Sequence, residues 1–170
     1  MLPAGHLAAA YLLWVSLGPR FEGPFDRSVW KVLLVGGLLP DLVDKPLAWG
    51  LDVLPASRAL GHSLLFLVPL LLIVALFARR AGQVTAAAAL AVGALSHVLL
   101  DNLPVLWNPD ESAASLLWPV TTVESQAGAP AVGSVLRDTL GEPYLWAELV
   151  LVVVAVGVWY SLRRVGSIPE

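Results

Sequence analysis

The sequence predicts an all-α integral membrane protein, a bundle of about five transmembrane helices. Three observations carry that expectation. Hydrophobic residues make up 58% of the chain and charged residues only 14%, with a mean hydropathy of +0.78, far from the profile of a soluble globular domain. Apolar stretches recur at five places. The ionisable residues sit at the ends of those stretches, and helices reach the ~20 residues that cross a ~30 Å hydrocarbon layer only by running through them. At 170 residues the chain is read as one domain, 1–170.

Helix 1 is expected over about 2–17 and carries His6; no Lys or Arg precedes it, unlike the start of a cleaved signal peptide. Helix 2, about 29–49, holds Asp41 and Asp44, with Pro46 marking a stop soon after. Helix 3, about 62–78, opens on Gly61-His62-Ser63, where Ser63 can cap the first turn. Helix 4, about 84–103, closes with His97 and Asp101. The connection 104–143 is long for a bundle. Prolines at 104, 109, 119, 130 and 143 break it, Trp107 and Trp118 suit an interface, and Ser115–Pro119 reads as a segment over the bundle mouth. Helix 5, about 144–161, has Glu148 near one end, where an interfacial or hydrogen-bonding role is commoner than a catalytic one, and an Arg163-Arg164 stop at the other. No internal repeat is visible, which disfavours a repeat-built transporter.

Basic residues orient the bundle. With the N-terminus outside, Arg20, Arg27, Lys31, Arg79, Arg80, Arg163 and Arg164 face the cytoplasm, seven of the ten, while Lys45, Arg58 and Arg137 lie outside. The C-terminus is then cytoplasmic and the 104–143 loop extracytoplasmic. The same threading brings His6, Asp41, Asp44, His62, His97 and Asp101 to the outer side, at similar depth. Carboxylates near a helix centre cost roughly 2.5–3.5 kcal/mol in lipid, so a shared cation is the economical reason for six such groups to gather.

Spacing supports a metal. His97-Val-Leu-Leu-Asp101 sets an imidazole and a carboxylate at i and i+4, on one helix face. Asp41 and Asp44 at i and i+3 repel each other unless a cation intervenes. A capping Asp with a packed His, or a helix end in the headgroup region with Lys45 pairing one acid, is the bland reading of each motif alone. The chain has three His in all, and they fall together with the Asp residues. With no cysteine, thiolate ligands and disulfides are excluded. Mixed imidazole and carboxylate donors suit Zn²⁺ first, with Mn²⁺, Fe²⁺ or Ni²⁺ as alternatives, and disfavour Ca²⁺ or Mg²⁺. One ion, or two about 3.5–4 Å apart, can be accommodated.

Gly37-Leu38-Leu39-Pro40-Asp41-Leu42-Val43-Asp44, Gly61-His62-Ser63, Ser96-His97-Val98-Leu99-Leu100-Asp101 and Leu116-Leu117-Trp118-Pro119 resemble the family described as membrane-bound, metal-dependent hydrolases (YdjM-like). The resemblance covers roughly residues 5–119. The order of motifs is also similar, more distantly, to zinc-dependent phospholipase C and nuclease proteins. That likeness implies Asp41, His62, His97 and Asp101 around one metal, with His6 towards a second. Asn102-Leu103-Pro104 stands where family members often carry a Thr, and no His follows His97, so a one- or two-metal site is expected in place of a fuller zinc cluster.

The expected function is a metal-dependent hydrolase cleaving an ester or phosphodiester at the outer membrane face through a metal-activated water, with a lipid-derived substrate suggested by the headgroup depth of the site. Catalytic roles fall to His97 within the metal shell and to Asp44 as general base. Lys45 or Arg58 would stabilise the developing oxyanion. The expected partners are the bilayer and a lipid or phosphodiester substrate; the net charge of −3 argues against nucleic acid. A non-enzymatic metal-binding or ion-handling membrane protein is the alternative. A conduit would need polar residues continuing inwards, whereas the inner halves of helices 3 to 5 are almost wholly Leu, Val and Ala.

Overall fold

A computed structural model describes residues 2–17, 27–125, 128–131, 140 and 143–164. Those residues form five α-helices and no strand: α1 (Pro3–Leu17), α2 (Arg27–Lys45), α3 (Leu64–Arg80), α4 (Val84–Asn102) and α5 (Pro143–Arg164). Short 3₁₀ turns at Leu103–Leu106 and Ala114–Leu117 follow α4.

The seam between α2 and α4 is the structural axis, and it is built on glycine. A Cβ at Gly93 would lie 2.5 Å from both the Gly37 nitrogen and the Leu33 carbonyl oxygen, and one at Gly36 would lie 2.5 Å from the Leu90 carbonyl. Only residues without a side chain let the two backbones approach so closely, the small-residue contact typical of membrane helices. Flanking this seam, Ala10 and Trp14 of α1 pack with Val29, Leu33 and Ala89 in one buried cluster. Leu67 and Leu71 of α3 pack with Ala94 and Val98 of α4 in a second. Helix α5 packs on α1, tied by the Glu148 carboxylate, which accepts the Leu2 amide at 2.9 and 3.1 Å.

The end of α2 departs from a simple stop. Pro40 stands inside the helix and Pro46 begins a π-helical turn, Pro46–Gly50, that carries the rod past Lys45. Asp52, at φ +52°, then reverses the chain in the left-handed region that Asp tolerates better than most residues. The returning segment folds Leu54 and Ala59 against Ala48 in a third buried cluster, with Trp118 packed on it. Gly61 closes this loop on α2, since a Cβ there would meet the Pro40 carbonyl oxygen at 2.6 Å. Ser63 caps α3 by accepting the Leu65 amide, and its hydroxyl donates to the Trp118 carbonyl at 2.6 Å. Leu116 packs on the α3–α4 cluster, so residues 114–118 are anchored across the ends of both helices.

Among the described residues two segments are long and apolar enough to cross a membrane, Val84–Leu106 and Leu145–Arg164, and Pro3–Leu17 is a shorter apolar helix. Five such spans were expected. The shortfall has a physical reason: the polar residues at the helix ends trim the apolar runs, leaving α1 at 15 residues and α3 at 17, while α2 carries Asp41, Asp44 and Lys45 within its last turns. The outward faces remain greasy. Leu72, Leu76 and Phe77 of α3 and Val150, Val153 and Val156 of α5 are all more than half exposed, a large contiguous apolar surface of the kind that marks contact with lipid or with another protein.

Candidate metal centre

The helices alternate so that the start of α1, the end of α2, the loop before α3 and the end of α4 meet. One oxygen each from Asp41 and Asp101 and one ring nitrogen each from His62 and His97 lie within 4.8 Å of one another. His62 Nε2 is 3.3 Å from Asp101 Oδ2 and 4.0 Å from Asp41 Oδ1; His97 Nε2 is 3.8 and 3.7 Å from the same two atoms. Donors held ~2.0–2.2 Å from one ion lie roughly 3–3.5 Å apart along the edges of a tetrahedron or octahedron. The four atoms therefore outline a slightly expanded coordination shell. His62 Nε2 and His97 Nε2 are fully buried yet make no hydrogen bond, an arrangement that costs about 1–3 kcal/mol per group unless something else satisfies them. A cation does so, and the donor set fits one.

The far side of each of these four groups is held in turn. His62 Nδ1 lies 2.8 Å from Asp44 Oδ2, and His97 Nδ1 lies 2.7 Å from the Gly37 carbonyl oxygen, which therefore accepts the ring proton. Both contacts fix the tautomer that turns Nε2 inwards. Asp41 gives its second oxygen, Oδ2, to Lys45 Nζ at 2.5 Å, one helical turn on. Asp101 gives Oδ1 to His6 Nε2 at 3.1 Å, while Arg58 Nε approaches Oδ2 at 3.1 Å. Pro40 has no N–H, so α2 lacks the ladder bond to the Gly36 carbonyl at this turn. The glycine seam brings the Gly37 carbonyl within reach of α4.

Of the six residues singled out in the sequence, Asp41, His62, His97 and Asp101 thus come together, whereas His6 and Asp44 stand one layer out. His6 is buried, stacks on His97 with ring centroids 3.8 Å apart, and buttresses Asp101. Asp44 has no exposure at all: its two oxygens accept the amides of Ala59 (2.8 Å), Gly61 (2.6 Å) and His62 (3.3 Å) as well as facing the His62 ring. Those four contacts occupy its lone pairs, so it is placed to orient His62 and not to take a proton from a substrate. Glu148 lies outside the cluster, on the Leu2 amide. Sequence reasoning missed the Gly37 carbonyl, which no side-chain pattern announces, and the three loop amides on Asp44.

His62 lies outside the helices, and burial works against its protonation. The carboxylates of Asp101 and Asp44 outweigh burial and raise its pKa above the ordinary 6.5. His62 and His97 are sealed and the Asp101 side chain is 5% exposed, whereas Asp41 at 14%, Lys45 at 37% and Arg58 at 42% reach the surface.

No curated protein and no solved structure matches the chain. A family model described as YdjM inner membrane protein matches residues 1–165. Its description names a location and no reaction, and the phospholipase C and nuclease likeness finds no counterpart in it. Covering nearly the whole sequence, including all five helices and every residue of the cluster, that match places the chain in the YdjM inner membrane protein family.

Proposed function

We propose that this chain is a metal-dependent hydrolase of the membrane, acting on an ester or phosphodiester. The observation that carries the proposal is the set of four inward donors, two of them buried imidazole nitrogens without hydrogen bonds, each braced from behind and opening at a single rim. Asp41, His62, His97 and Asp101 would hold a divalent cation; Zn²⁺, Mn²⁺, Fe²⁺ and Ni²⁺ all accept such donors, and Zn²⁺ is the first choice. When bound, such a cation polarises an ester or phosphoryl oxygen and acidifies a water to a pKa near ~7. Asp44 and the Gly37 carbonyl hold the two imidazoles with Nε2 aimed inwards. Lys45 pairs with the outer oxygen of Asp41. Trp118 and the loop that it packs on wall off the cluster from the α3 side, and the substrate enters past Asp41 and Arg58. The excess of Lys and Arg on the opposite loops supports an extracytoplasmic site, with the N-terminus outside and the C-terminus inside.

A second reading has its own support. Four protein donors already fill a tetrahedral shell, as in closed structural sites, so the same cluster would serve a metal-binding protein without turnover. Metal analysis of the protein purified in detergent, paired with esterase and phosphodiesterase assays, separates them. Hydrolysis in the wild type that vanishes in His97→Ala together with the metal is the expected result. Stoichiometric metal with no hydrolysis of any ester favours the binding protein, and absence of bound metal defeats both.

A further inference from the structure

We infer that the substrate group taken by this centre is a phosphate, and that Arg58 is the residue that holds it. The inference rests on the metal-dependent reading above and deepens it by choosing between phosphoryl and carboxylic esters.

Arg58 stands at the rim with one nitrogen committed and the rest of its fork available. Nε lies 3.1 Å from Asp101 Oδ2 in an ion pair, and among the described residues its terminal nitrogens make no further ion pair. Its backbone is fixed while its side chain is 42% exposed. On either side of it, Ala56 and Ala59 are buried, and the Ala59 and Gly61 amides are bound to Asp44. A guanidinium paired through Nε with a cluster carboxylate and partly exposed offers its remaining N–H groups in a planar fork that matches the paired oxygens of a phosphate.

Charge points the same way: Lys45 and Arg58, both partly exposed, stand on cluster carboxylates at its open side, and two cations at an entrance favour an anionic group over an uncharged ester. A groove of about 250 Å³ beside the centre bears on the source of the phosphate. It is lined by Val43, Phe66, Leu67 and Leu70 and by Pro40 and Gly61, the chain neighbours of Asp41 and His62. An acyl chain lying there would run along the Pro40–Gly61 contact, next in sequence to Asp41 and His62.

The test is binding to the full-length, metal-loaded protein in detergent, with metal content measured on every sample. The probes are inorganic phosphate, dihexanoyl phosphatidic acid and, as an uncharged ester, dihexanoylglycerol. The wild type should bind phosphatidic acid, and Arg58→Ala should weaken that binding about tenfold or more at equal metal content, the loss expected for a charge-assisted contact. Arg58→Lys, which keeps the charge and loses the fork, should fall between them and decides the matter if Arg58→Ala is unstable. Binding of inorganic phosphate with the same Arg58 dependence identifies a free phosphate as sufficient; binding of phosphatidic acid alone identifies a lipid headgroup. Equal phosphate affinity in wild type and both variants, or a preference for the uncharged ester, overturns the inference while leaving the metal centre intact. A wild type that holds no metal overturns the hydrolase reading and this inference together.

Discussion

At the scale of single residues, the centre separates groups that face inwards from groups that brace them, and the two classes should respond differently to substitution. His62→Ala or His97→Ala removes a donor, and metal should be lost outright on equilibrium dialysis. His6→Ala removes the buttress behind Asp101 and the ring stacked on His97 but no inward donor, and the affinity should fall by about 10–100-fold with stoichiometry retained at high metal. Asp44→Ala is the severer outer change. It strands three amides and a ring nitrogen in a sealed pocket, and should cost roughly 3 kcal/mol or more of stability as well as metal. Thermal unfolding with and without added metal distinguishes the two losses. The sequence made the inward group legible because Asp101 follows His97 by one helical turn, and because three His in a Leu-rich chain are conspicuous. It could not rank Asp41 against Asp44, which share a face at i and i+3. That ranking is set by the loop amides of Ala59 and Gly61, brought in from fifteen and seventeen residues away.

At the scale of elements, the α2–α4 seam decides whether the donors from the two helices can meet. Gly93→Val would drive side-chain atoms into the Gly37 nitrogen and the Leu33 carbonyl. The helices would separate, and the Gly37 carbonyl would leave His97 Nδ1. The expected outcome is loss of metal together with a lower unfolding temperature, read in one titration. Gly157→Ala on α5 is the control, since a Cβ there meets nothing within 4 Å, and it should be silent. The existence of five helices was legible from the five apolar runs. The π turn at Pro46–Gly50 and the glycine contacts were not, because each depends on how closely two segments distant in sequence approach. The apolar runs themselves showed that α1 and α3 fall short of about 20 residues unless their polar ends are included, and the helices stop at 15 and 17 residues.

At the scale of the whole molecule, metal held by the cluster would couple the fold to proton and metal concentration. The raised pKa of His62 means that protons compete with a metal already near neutral pH. A protonated imidazole cannot bind the ion, so apparent affinity should fall as pH drops through a value above 6.5 and be regained on returning to higher pH. Isothermal titration between pH 6 and 8.5 measures it. A chelator should lower the unfolding temperature, and metal should restore it in proportion to the logarithm of its free concentration. Orientation is testable because the chain lacks cysteine. A single Asp110→Cys should react with an impermeant thiol reagent from outside intact cells, and Gly82→Cys only after the membrane is breached. The bracing behind each donor has one more consequence. Asp44, the Gly37 carbonyl, Lys45 and His6 leave the four inward atoms little room to adjust, so the bundle works as a caliper for ionic radius. Small ions that accept short bonds to mixed nitrogen and oxygen will seat, and a large ion such as Ca²⁺, which needs bonds of about 2.3–2.6 Å and six or more oxygens, will be turned away however abundant it is.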